Sequence, residues 1–224
     1  MSIPEEILTI PVDGETVSGL LLRPSGANAL LVLGHGAGAG MRHPFMEAVS
    51  HRLAGRGVAT LRYQFPYMEK RLGRPDSPAV ATATVRAACE LARARAGDLP
   101  LLAGGKSFGG RMTSTAQSEA PLPGVRGLVF LGFPLHAPKR PAIGRGEHLD
   151  RVTIPMLFLQ GTRDDLADLG LIREVTGRLG PRVALHIVEG ADHSFGVLKR
   201  SGRTGDEVLD ELAGATAEWF AGLP

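Results

Sequence analysis

From about residue 29 to the end of the chain, apolar runs of strand length alternate with longer stretches of helical period. That is the pattern of a parallel sheet covered by helices, so the predicted fold class is α/β. Ahead of it, ILTIPV and VSGLLLRP flank Asp13-Gly14, a hairpin turn signal that predicts an opening antiparallel pair. Ala29 to Gly34 reads as a strand, and a Gly-rich loop carries it to a helix from Pro44 to Ala54, stopped by Gly55 and Gly57 before strand VATLRY. Between Pro78 and Ala96, the residues Ala81, Val85, Ala88 and Ala92 make one apolar stripe, while Arg86, Glu90 and Arg93 line another face of the same helix. Strand LPLLAG follows, ending at Gly104, and then VRGLVFLG, PMLFLQG and VALHIVEG, with helices expected around Leu166 to Arg178 and from Gly205 to Phe220. No repeat or linker interrupts the series, and residues 1–224 read as a single domain.

Composition narrows the function classes. The 224 residues are 43% hydrophobic and 21% charged, ordinary for a domain with one sizeable core, and the formal net charge of +2 argues against a dedicated nucleic-acid binder. Cys89 is the single cysteine, so there is no intrachain disulfide and no cysteine-based metal site, which fits a reducing compartment. The opening MSIPEEILTIPVDGE is acidic where a secretory signal is basic, and no membrane-inserting apolar run follows it; a cytoplasmic protein with no membrane partner is expected.

The sharpest chemical signal is Gly105-Lys106-Ser107-Phe108-Gly109, a G-x-S-x-G sequence between an apolar strand and a helix-compatible stretch. A serine on so tight a strand-to-helix turn has strained backbone angles, and its neighbours two residues away must be small. The same turn places Ser107 at a helix N-terminus, where unpaired N–H groups favour developing negative charge. Being a weak nucleophile, the hydroxyl needs a base, and His193 in EGADHSF follows the last strand at the sheet edge where Ser107 lies. His186 lies inside a strand, His51 on a helix, and His43 and His136 could only rim the pocket. The base needs a carboxylate to fix its tautomer, and GTRDD offers one after MLFLQ. Asp164 is nearer the strand end and is preferred; Asp165 is placed to cap a helix starting at Leu166, Asp168 falls within that helix, and Asp192 should point elsewhere. Phe108 N–H and Ala37 N–H, the latter from Gly34-His35-Gly36-Ala37-Gly38, are the expected oxyanion donors, with His35 supporting the loop.

Two other motifs compete. Gly34-x-Gly36-x-x-Ala39 after a strand satisfies a dinucleotide fingerprint, and Arg62 at the end of the next strand suits a 2′-phosphate, the signature of an NADP-dependent reductase. The loop runs on to Pro44, however, so the helix starts too late to hold a pyrophosphate. Gly105-Lys106-Ser107 resembles the end of a phosphate-binding loop, but the glycine required five residues earlier is Pro100. A non-catalytic interaction domain on the same fold is the remaining class.

With these residues assigned, the chain resembles the α/β-hydrolase family that includes small bacterial hydrolases, the hydrolase-like region of a chromatin acetyltransferase-complex subunit and its testis-expressed relative. The similar stretches are LGHGAGAGMRHPFM, YQFPYM, GGKSFGGRM, LGFPLHAP, LQGTRDDLAD and GADHSFGVLKRSGRT, with RGEHL departing from REHL by Gly146. The resemblance implies Ser107, Asp164 and His193 as a catalytic triad, and a serine hydrolase of this kind uses no cofactor and no metal.

Leu135 to Ile154 leaves room for only a short helix and loop, so no substantial cap is expected and the site should be open, suiting small or broad ester substrates over long acyl chains. Amide and peptide substrates are compatible with the same triad. Tyr67, Met68, Phe108, Phe133, Pro134, Leu135 and His35 are the expected pocket residues. Basic clusters at Lys70, Arg71 and Arg74, at Lys139 and Arg140, and at Lys199, Arg200 and Arg203 are expected to rim the site and would suit an anionic substrate. A monomer or homodimer is expected.

Overall fold

A computed structural model describes residues 3–223. Eight strands form one sheet: β1 (Glu5–Val12), β2 (Glu15–Leu22), β3 (Ala29–Gly34), β4 (Val58–Tyr63), β5 (Leu101–Lys106), β6 (Val125–Leu131), β7 (Met156–Gly161) and β8 (Val183–Val188). Their spatial order is β1-β2-β4-β3-β5-β6-β7-β8. The β1/β2 and β2/β4 pairs are antiparallel and the rest parallel. The β1/β2 turn has Asp13 at φ 47° and Gly14 at φ 84°, the paired positive values of a two-residue hairpin whose twist matches its strands.

The helices are α1 (Pro44–Ala54), α2 (Pro66–Glu69), α3 (Pro78–Ala96), α4 (Phe108–Glu119), α5 (Leu169–Leu179) and α6 (Gly205–Ala221). Their starts follow capping chemistry. Ser77 accepts from Val80 N–H ahead of Pro78, and Thr204 and Glu207 form a reciprocal capping box. The stripe Ala81, Val85, Ala88 and Ala92 is fully buried, as its spacing predicts.

Strands β3, β4 and β7 are buried along their whole length, so consecutive residues feed opposite cores. Leu30 and Val32 belong to the core on the side of α3, α4 and α5; Leu31 and Leu33 belong to the core on the side of α1 and α6. Strand β5 runs two residues past Gly104, to Lys106, because it stays paired with β6 up to Leu131. Parallel registers that match Gly34 with Gly105 and Gly161 with Val188 bring the loops after β3, β5, β7 and β8 to one edge. Among the described residues no helix is long and apolar enough to cross a membrane.

Candidate active site

Ser107 stands between β5 and α4 with φ 50° and ψ −111°, a positive φ that serine rarely adopts. The tightness of the turn explains its glycines. A Cβ on Gly105 would lie 2.4 Å from Gly34 O, and one on Gly109 would lie 2.4 Å from both Gly34 C and Gly34 O. Ser107 N–H is anchored to Leu131 O at 3.1 Å, and Ser107 O accepts from Arg111 N–H at 3.0 Å.

The loop after β8 brings His193 Nε2 within 2.8 Å of Ser107 Oγ, and the loop after β7 brings Asp164 Oδ2 within 2.7 Å of His193 Nδ1. A carboxylate oxygen can only accept, so Nδ1 carries the imidazole proton and Nε2 is left to accept from the serine hydroxyl. The Asp164 side chain is 1% exposed and the His193 side chain 18%, so the pair is shielded while the imidazole edge meets solvent.

Asp164 is held from three sides. Gln160 Nε2 donates to Oδ2 at 2.5 Å, Leu166 N–H donates to Oδ1 at 2.8 Å, and His193 supplies the third bond. Gln160 is itself fixed by accepting from Phe133 N–H at 3.0 Å. Its role was not read from the sequence; the available signal was a single polar side chain in the otherwise apolar strand MLFLQG. Asp192 points away from the imidazole and accepts from Ser194 and Gly196 N–H, closing the turn that carries His193.

The expected cap at Asp165 is not formed. Helix α5 starts at Leu169, three residues later than Leu166, and Asp168, expected inside the helix, is its N-cap, accepting from Leu171 N–H at 3.0 Å. Asp164 already satisfies Leu166 N–H, which turns the chain before a helix can begin. Asp165 is exposed.

The loop after β3 is set by buried hydrogen bonds. His35 Nδ1–H donates to Gly36 O at 2.8 Å and Nε2 accepts from Phe65 N–H at 3.1 Å. Tyr67 Oη–H reaches Ala37 O at 2.8 Å. Across a trans peptide the C=O and N–H point oppositely, so tying Gly36 O to His35 turns Ala37 N–H away from the core. Phe108 is the first residue of α4, so its N–H has no intrahelical acceptor.

Burial holds the His35 pKa down, from 6.5 to about 4, against the raising effect of its bond to Gly36 O. Unfolded, His35 takes a proton near 6.5; folded, it resists down to about 4. Between those values the unfolded chain binds more protons, so this contribution is full above pH 6.5 and is lost as the pH falls towards 4, in total about 3 kcal/mol. Urea unfolding at stepped pH should show midpoints falling through this window, with a flatter fall in His35→Gln; an unchanged slope would contradict the assignment.

A second serine–histidine contact, Ser114 Oγ with His148 Nε2 at 2.8 Å, differs in kind. The Ser114 hydroxyl proton goes to Arg111 O at 2.9 Å, so His148 donates to the oxygen. This contact ties the 3-10 segment Gly144–Arg151 to α4.

Two clefts open on Ser107. One, of about 370 Å³, has Ala37, Ala39, Phe45, Met46 and Leu166 in its walls together with Lys106 and His193. The Lys106 ammonium lies 5.7 Å from the Phe195 ring centroid, and burial lowers its pKa to about 8 although Asp164 and Asp192 oppose the shift. The other cleft, of about 330 Å³, includes Phe108, Met112, Pro134, Arg111 and Arg145.

Several expected pocket residues stand elsewhere. Phe133 and Leu135 are core residues, the first packed edge-on against Phe130. His35 and Tyr67 are buried behind the loop they hold. Met68 borders a separate depression with Gln64 and Arg71. His43 lines the first cleft and caps α1, whereas His136 is buried and accepts from Asp168 N–H. None of the residues of the three basic clusters is in the walls of either cleft: Lys70 pairs with Glu15 and Arg203 with Glu211, and the cations in those walls are Lys106, Arg111 and Arg145. Arg62, which suited a 2′-phosphate, is buried against Glu5 and donates to Met41 O.

An eight-stranded sheet with antiparallel opening strands, and a serine at the β5–α4 turn facing a histidine and a carboxylate, define an α/β-hydrolase. The chain belongs to the α/β hydrolase domain family, which it matches over residues 27–221. Solved structures share the fold. A dienelactone hydrolase from Anabaena variabilis superposes with a TM-score of 0.77 at 23% identity, covering 98% of each chain. A serine hydrolase without a lid from Xanthomonas campestris gives 0.74 at 18% identity over 100% of this chain and 97% of its own. The esterase domain of a Rhodothermus marinus protein gives 0.72 at 15% identity, over 96% and 97%.

Proposed function

We propose that this protein is a serine hydrolase of carboxylic esters, with Ser107 as nucleophile, His193 as general base and acid, and Asp164 orienting the imidazole. The observation that carries this reading is the unbroken relay from Asp164 Oδ2 through His193 to Ser107 Oγ, at 2.7 and 2.8 Å, at the mouth of an open apolar cleft. Ser107 Oγ attacks the ester carbonyl carbon while its proton passes to His193 Nε2. The carbonyl oxygen becomes an oxyanion, accepting from Phe108 and Ala37 N–H. Its collapse expels the alcohol, which takes the proton from His193 and leaves an acyl-serine. Water then attacks the acyl carbon, giving its proton to His193; collapse releases the carboxylic acid and returns the proton to Ser107. No cofactor enters either half.

The open clefts favour small or varied esters. That several structural neighbours are described as a dienelactone hydrolase or as esterases supports ester chemistry, without fixing the substrate. Within the family, we place the chain beside the small bacterial hydrolases related to the chromatin-complex subunit, on stretches such as GGKSFGGRM and GADHSFGVLKRSGRT.

The test is turnover of short-chain p-nitrophenyl esters by the wild type and two carboxylate variants. Asp164→Asn should lower kcat by about 10⁴-fold, the scale on which losing the orienting carboxylate acts in such triads. Asp165→Asn should stay within about threefold of wild type, because its carboxylate is exposed. The opposite ranking, or no turnover by the wild type, would overturn the assignment.

A further inference from the structure

We propose that the cleft between Ser107 and Arg145 binds a carboxylate carried by the substrate, so that the preferred esters are monoanions. The inference rests on Ser107 being the nucleophile and names the substrate class of that site.

The two clefts share Ala37, Ser107 and Leu166 but differ in their charged groups: the first has the Lys106 ammonium, near Asp164 and Asp192, and the second has two guanidinium groups. In the second, Arg111 and Arg145 stand among Phe108, Met112 and Pro134. Arg111 lies one helical turn beyond Ser107, and its N–H donates to Ser107 O, which fixes the offset between guanidinium and nucleophile. Among the described residues its guanidinium forms no hydrogen bond and no ion pair, although the side chain is half-buried. Arg145 commits Nη1 to His136 O at 3.0 Å, which holds it in place and leaves its other donors available. Burial and the neighbouring Arg145 both work against the charge on Arg111, so an anion between the two guanidinium groups would relieve both.

Charge balance selects the ligand. Asp76 is the one carboxylate in these walls, and its Oδ2 already accepts from Tyr67 N–H at 3.1 Å. His148, beyond Arg111, is kept neutral because burial, then Arg111 and Arg151, push its pKa down to about 4. Two guanidinium groups against one carboxylate leave a single positive charge, which suits a monoanion better than a phosphate dianion. Guanidinium also matches carboxylate geometry in two parallel hydrogen bonds. Four helical residues advance about 6 Å along the axis, so the carboxylate would lie roughly three to five bonds from the scissile carbonyl.

The experiment compares kcat/KM for p-nitrophenyl hydrogen glutarate and p-nitrophenyl butyrate, two esters with the same leaving group. The wild type should favour the glutarate ester at least tenfold, and Arg111→Met should reduce that ratio at least tenfold, chiefly through KM. Arg111→Lys, which keeps the charge and the stem, should retain part of the preference. No preference in the wild type, or an unchanged ratio in Arg111→Met, overturns the proposal. Calorimetry with free glutarate reads the subsite independently of turnover. Binding by the wild type and not by Arg111→Met supports the site even if neither ester is cleaved, the outcome in which only the ester reading fails. Equal binding by both proteins, binding by neither, or stronger binding of inorganic phosphate than of glutarate overturns it.

Discussion

Ser107→Ala should lower ester turnover by a factor of about 10⁵ to 10⁶, the scale on which triad nucleophiles act. The reason is local. His193 Nε2 is aimed at one oxygen, Ser107 Oγ, and the turn that presents it is held by Leu131 O and by glycine contacts that leave no room for another side chain. The variant should fold normally, because alanine removes only a hydroxyl from a half-exposed position. Residual catalysis would come from the proposed oxyanion donors, the Phe108 and Ala37 amides, and from binding alone. Steady-state turnover with matched circular dichroism checks it. A variant within tenfold of wild type would mean that another group is the nucleophile.

The largest effect on stability is expected at Gly104. A Cβ there would lie 1.9 Å from Val129 O and 2.9 Å from Val129 N, backbone atoms of the adjacent strand that cannot rotate away. Gly104→Ala must therefore pull β5 from β6 or displace Ser107, three residues on. A cost of at least about 4 kcal/mol is expected, a large share of the 5–15 kcal/mol typical of a domain. Gly177→Ala provides the contrast. It lies in α5 with nothing within 4 Å of its Cβ position, and should stabilise by roughly 0.5–1 kcal/mol through helix propensity alone. Thermal melts of the two variants should move in opposite directions; a Gly104→Ala protein that melts like wild type would contradict the close approach.

What the sequence revealed depended on how local each signal was. The strands announce themselves because β3, β4 and β7 are short, mostly apolar runs of strand length, and the helix bounds at 44–54 and 78–96 follow from proline, serine and glycine punctuation. Ser107, Asp164 and His193 could be proposed together because each follows a strand whose carboxyl end the α/β pattern places at one edge. The Asp168 cap was missed because the bond from Leu166 N–H to Asp164 Oδ1, which delays the helix, joins a turn to a buried carboxylate. Gln160 and Tyr67 act across packed elements, and the pattern of their own segments carries no mark of the partner. Phe133 and Leu135 looked like pocket walls for the opposite reason: an apolar residue at a strand end reads alike whether it faces a cleft or a core. Arg111 was visible as the residue four positions after Ser107, but its unpaired state depends on which carboxylates fold near it.

Ser107 as an activated nucleophile is the claim on which the rest depends. Intact-protein mass spectrometry after exposure to a fluorophosphonate measures it directly, since the reagent phosphonylates a serine only where a base and oxyanion donors act together. One adduct per chain, mapped by proteolysis to Ser107, absent from Ser107→Ala and formed far more slowly in His193→Ala, is the predicted result. An adduct on Ser114 instead, or no adduct on the folded wild-type protein, would contradict it.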